Sequence, residues 1–129
     1  MQTRDQRLAV VIFQQVKEVK NKGKDFYNSY GSMAHKLPIL IRTAGLAQAL
    51  TYVDSRDSVA QKQLLRDLAA TLHKPDLITT TITAELRDYM YLTQQTLAAL
   101  LWYKRFAQSI LDVKSGDTET SDTAVQIGR

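Results

Sequence analysis

The sequence predicts an all-α fold, a compact bundle of about five to six helices with a long C-terminal helix at its centre. Three observations carry that expectation. Apolar residues recur at helical spacing along most of the chain, and glycine or proline punctuates the runs. The one β-favouring stretch, Thr79 to Thr83, has no second strand to pair with. At 129 residues with no cysteine, the chain is one domain by size and can bury a core without disulfides.

The elements follow in order. Gln2 or Thr3 opens a helix that runs to about Asn21, with Leu8, Val11, Ile12, Val16 and Val19 on one stripe. Gly23 suits the left-handed position that ends it, and Asp25 is placed to cap a second helix carrying Phe26, Tyr27 and Tyr30. Gly31 and Ser32 weaken that helix before Pro38, which lacks an N–H and fits a first turn or a kink. Gly45 ends the segment of Leu40, Ile41 and Arg42, and Leu46 to Val53 forms a short helix. Asp57 or Ser58 caps the next, with Leu65, Leu68, Ala69 and Leu72 inward. After the break at Lys74-Pro75-Asp76, Thr79 to Thr83 reads as a short helix or turn, because β-branched residues disfavour long helices.

The longest helix spans Thr83 or Ala84 to about Val113, roughly 42 Å. Leu97, Leu100, Leu101, Trp102, Tyr103, Phe106, Ile110 and Leu111 cannot all face one neighbour, which makes this helix the central rod. Its narrow polar face holds Arg87, Tyr91, Gln94, Ala98, Arg105, Gln108 and Asp112. Residues 1–113 thus form a single helical domain. Residues 114–129, rich in Ser, Thr and Asp, are expected to be a mobile polar tail.

Net charge is +4, and the stretch from Lys114 to Arg129 holds two basic and three acidic residues, so the surplus lies in the body. Such a surplus suits a polyanionic partner without requiring one. No secretory signal, no membrane-spanning run and no thiolate metal site can be read in the chain, and the absence of cysteine agrees with a reducing cytoplasm. Glycine-rich phosphate loops and nucleophile elbows are likewise missing. His35 and His73, the two histidines, have no sequence relation that joins them as acid and base or as metal ligands. Asp54 and Asp57 sit where a helix start calls for caps.

Three pieces of the chain resemble one family. They are Arg4-Asp5-Gln6-Arg7-Leu8-Ala9, the run Tyr30-Gly-Ser-Met-Ala-His-Lys-Leu-Pro-Ile-Leu-Ile-Arg-Thr-Ala-Gly-Leu-Ala-Gln-Ala-Leu50, and Tyr91-Leu92-Thr93 with Trp102-Tyr103-Lys104-Arg105-Phe106-Ala107. Together they look like the small subunit of Cmr-type (type III-B) CRISPR effector complexes. The resemblance spans most of residues 1–113. It implies an all-α, non-catalytic, cytoplasmic subunit without cofactor or metal. Its implied partners are other subunits of the complex, copies of itself, and the backbones of guide RNA and target RNA, with no membrane.

Under that resemblance the candidate RNA-backbone residues are Lys17, Lys20, Lys24, Lys36, Arg42, Arg87 and Arg105. Lys17, Lys20 and Lys24, read with a helical period, fall on neighbouring sides away from the apolar stripe. Alternatively these lysines only favour a helix C-terminus through its dipole. Arg87 and Arg105 share a face about 27 Å apart and offer planar forks to phosphates, or they form an ordinary solvated face. Lys36 and Arg42 flank Pro38 and either line a groove or mark a polar side. Trp102 and Tyr103, set among leucines, read as core rather than as base-stacking platforms.

Two rival readings remain. Leu46-Ala47-Gln48-Ala49-Leu50 with Val53 and Val59 mimics a helix-turn-helix DNA-binding regulator, although Asp54 and Asp57 would approach phosphates. A scaffold subunit touching protein alone is the other.

Overall fold

A computed structural model describes residues 1–115. They form six α-helices: α1 (Arg4–Lys20), α2 (Lys24–Ala44), α3 (Leu46–Ser55), α4 (Val59–Thr71), α5 (Leu77–Thr83) and α6 (Leu86–Ser109). No strand occurs among the described residues. The tail expected to be mobile lies, from residue 116 onward, outside them.

Local chemistry sets most of the boundaries. Thr3 caps α1 in a reciprocal capping box with Gln6, each side chain accepting from the other's backbone N–H at 2.8–3.0 Å. Gly23 and Gly45 hold φ of 102° and 92°, a region open to glycine and strained for other residues. Gly45 is both the C-cap of α2 and the N-cap of α3, so a single residue turns that corner. Ser58, not Asp57, caps α4 by accepting from the Gln61 N–H. Asp25 lies inside the first turn of α2 and does not cap it.

The expected weakening at Gly31–Ser32 and Pro38 does not interrupt α2, which continues through both. Pro38 removes one intrahelical hydrogen bond, at a cost of about 3 kcal/mol or more. Burial of Tyr30, Met33, Leu37 and Ile41 against α1, α3, α4 and α6 outweighs it. Gly31 has a packing reason: a Cβ there would lie 2.9 Å from the Val113 Cβ.

The helix α6 is shorter than expected, since Ala84 and Glu85 are extended at one end and Asp112, with φ 56°, turns the chain at the other. Tyr89, near its start, is tied to the α2–α3 corner, where its hydroxyl oxygen accepts from the Ala47 N–H at 3.0 Å. Val113, beyond its end, returns to Gly31 and to His35, whose Nε2 lies 2.8 Å from the Val113 carbonyl oxygen. The helices α2 and α6 therefore run antiparallel, and they share the centre of the bundle. Leu92, Ala99, Leu100 and Tyr103 form the inner side of α6.

The Thr-rich stretch is the helix α5. Its hydroxyls bond back to carbonyls one turn earlier, Thr80 to Asp76 at 2.8 Å and Thr83 to Thr79 at 2.9 Å. No helix of the described residues is long and apolar enough to cross a membrane.

Candidate nucleic-acid interface

The structure distributes the seven cations singled out from sequence over three helices, α1, α2 and α6. Lys17 and Lys20 are exposed in the last turn of α1, and the Lys17 ammonium sits 5.1 Å from the centre of the Phe13 ring. Lys24 does not belong to their helix, because α1 stops at Lys20 and Lys24 opens α2 beyond the Gly23 turn. The helical period that grouped the three fails at that turn.

Lys36 and Arg42 do not line a common groove. They are separated by about 120° around α2, and Pro38 between them is buried. Lys36 is half-buried over the Tyr52 ring of α3, at 5.7 Å, whereas Arg42 is exposed in the last turn. Arg87 and Arg105 are both exposed on the side of α6 away from Leu100 and Tyr103. That side continues through Tyr91, Gln94, Ala98 and Leu101, so the two guanidinium groups mark the ends of a ridge about 27 Å long.

Trp102 and Tyr103 are structural. The Trp102 Nε1–H donates to Asp5 Oδ1 at 3.0 Å, and its ring stacks on Phe106 with centroids 5.4 Å apart. Phe106 meets Phe13 edge-on at 5.5 Å. Tyr103 is fully buried. His35 is buried beside Val113, while His73 is exposed at the end of α4. The helix-turn-helix likeness has a geometric obstacle: α4, which would enter the DNA groove, packs against α1, α2, α3 and α6.

A groove of about 570 Å³ was missed by the sequence reading. Arg4, Arg7, Leu8 and Val11 of α1 form one wall, Thr71, Leu72 and His73 the end, and Tyr91, Gln94, Gln95 and Ala98 of α6 the other wall. Val11, expected in the core, is 46% exposed here. Arg4, Arg7 or Leu8, and Val11 recur at helical spacing, so the sequence held a signal for this wall, masked by treating Val11 as interior.

Beneath the groove runs a partly buried polar seam. Thr71 Oγ1 lies 3.0 Å from the Tyr103 hydroxyl and accepts from Gln15 Nε2 at 3.0 Å. The Tyr103 hydroxyl donates to Gln15 Oε1 at 2.5 Å. One turn before Thr71, Asp67 accepts from the Tyr30 hydroxyl at 2.5 Å and from Gln63 Nε2 at 2.8 Å. Burial raises the pKa of Asp67 above the ordinary carboxylate value, against the opposing pull of those two donors. Tyr30 and Tyr103 are likewise pushed upward by burial, so both stay protonated.

The family described as CRISPR-associated protein (Cas_Cmr5) matches residues 4–110. The chain belongs to this Cmr5 family. A Thermus thermophilus protein named CRISPR system Cmr subunit Cmr5 is 44% identical over 116 residues, covering 87% of this chain and 99% of that protein. The crystal structure of a CRISPR-associated Cmr5 family protein, also from Thermus thermophilus, matches with a TM-score of 0.79 and 45% identity, over 85% of this chain and 98% of that one. The family resemblance read in the sequence is therefore correct, and the Cmr5 match embraces all seven candidate cations and both walls of the groove.

Proposed function

We propose that the chain is a non-catalytic small subunit of a Cmr-type (type III-B) CRISPR effector complex, stacking beside the guide RNA–target RNA duplex and touching RNA backbone and neighbouring subunits. Membership of the Cmr5 family supports the assembly, since the similar Thermus protein is named a subunit of the Cmr system. The observation that carries the RNA contact is the α6 ridge, with Arg87 and Arg105 exposed at its two ends. Guanidinium forks suit phosphate oxygens, and each contact releases condensed counterions. Lys17, Lys20, Lys24, Arg42 and the half-buried Lys36 extend the cationic surface around the bundle. Exposed Ile39, Ile82, Leu86 and Met90 supply apolar ground for neighbouring subunits or further copies. Catalysis in this reading belongs to other subunits, and the protein acts in the cytoplasm without a cofactor.

Charge reversal tests the proposal. A complex assembled with Lys17→Glu, Lys20→Glu and Lys24→Glu together should bind target RNA more weakly and with a shallower dependence on salt. Unchanged affinity and slope, in that variant and in Arg87→Glu/Arg105→Glu, would leave the chain a scaffold that touches protein alone.

A further inference from the structure

Resting on the chain's reading as an RNA-contacting subunit, we propose that the groove between α1, the end of α4 and α6 seats one unpaired nucleotide of single-stranded RNA. The Tyr91 ring stacks on the base, and Arg4 and Arg7 bind the flanking phosphates.

The lining chemistry selects this occupant. Arg4 and Arg7 are exposed on one wall, and no carboxylate residue lines the groove, so its charge is complementary to a polyanion. Tyr91 is 53% exposed on the opposite wall, and among the described residues no other ring packs on it. An aromatic face left open beside arginines is the pairing by which single strands are held, because every base offers a π-face. Leu8, Val11, Leu72 and Ala98 give the base an apolar surround, and the amides of Gln94 and Gln95 offer donors and acceptors to a base edge or a 2′-hydroxyl. A duplex keeps its bases stacked inside and would leave this apolar and amide lining unused.

Size and rigidity agree. About 570 Å³ falls within the range of small-ligand clefts. The inner wall is anchored because Thr71 is tied to Gln15 and Tyr103. At the groove's end His73, with φ 58°, is the left-handed residue that closes α4: its N–H donates to the Ala70 carbonyl and the Lys74 N–H to the Ala69 carbonyl, which fixes that end of the lining. The groove also interrupts the α6 ridge between Arg87 and Arg105, so a strand gripped at both ends would pass it.

The test uses the full chain, alone and in the assembled complex, with a short single-stranded RNA carrying 2-aminopurine and with the matching duplex. Binding of the single strand should quench the 2-aminopurine emission. Tyr91→Ala should abolish the quench and weaken single-strand binding roughly tenfold, the worth of one stacked base, while Tyr91→Phe keeps both. Duplex affinity should not change with either. Single-strand binding without quench, and indifferent to Tyr91→Ala, would overturn the groove while leaving backbone contact intact. If wild-type protein and complex bind neither RNA, the subunit reading itself falls. Poly-glutamate binding that needs Tyr91, with no displacement by RNA, would assign the groove to an acidic protein segment and overturn the proposal.

Discussion

The seam and the groove meet at Thr71 yet follow opposite rules. In the seam, Tyr30, Asp67, Gln63, Thr71, Gln15 and Tyr103 satisfy one another, and where the seam is buried, at Tyr30, Thr71 and Tyr103, a missing partner is costly. In the groove, Arg4, Arg7 and Tyr91 face water, where charges are screened and an unused ring costs little. Substitutions inside should therefore appear as stability, and substitutions outside as binding.

The largest effect expected is from Tyr30→Phe, which leaves the buried side of the Asp67 carboxylate without its closest donor. A loss of about 1.5–3 kcal/mol is expected, as for a hydrogen bond to a charged group, measured by urea unfolding. A neutral result would show that water replaces the tyrosine and that the seam is open.

Next comes Asp67→Asn, read against pH. Asp67 has a raised pKa when folded, so the native state binds its proton more tightly than the unfolded chain does. Its contribution is therefore greatest at low pH and is lost as pH rises from the ordinary value of 3.8 towards the raised one. The asparagine variant lacks that loss and should gain on the wild type across this interval. Parallel stability–pH curves would remove the buried-carboxylate account.

Smallest in stability is Arg87→Ala, expected within about 0.5 kcal/mol of wild type by thermal unfolding. Its effect should appear as a reduced salt slope in RNA binding by the assembled complex. A large stability loss instead would place Arg87 among the groups that hold the fold.

Boundaries governed by one or two residues were legible in the sequence. Gly45 and Ser58 carry their turn and cap locally, and the period of Ile12, Val16 and Val19 points inward whatever the neighbours are. Gly23 turns the chain as the N-cap of α2, while Asn21, not Gly23, is the C-cap of α1. Features that depend on distant partners were not. Pro38 stays inside a helix because α2 is packed on several sides, and Val113 determines the need for Gly31. Val11 is apolar in the same rhythm as the core, and only the separation of α1 from α6 at that level leaves it in a groove. Of the candidate cations, the Arg87–Arg105 ridge followed from an unbroken helix. The helical period used to group Lys17, Lys20 and Lys24 does not apply, because α1 ends at Lys20 and Lys24 begins another helix.

The chain's single tryptophan lies where its indole N–H reaches back to Asp5 in the first turn of α1. Its fluorescence is thus an intrinsic reporter for the docking of the N-terminal helix on the rest of the bundle. Loosening of that helix, on assembly or on heating, would shift the emission to the red with no dye attached, and Asp5→Ala would supply the spectrum of the untethered ring.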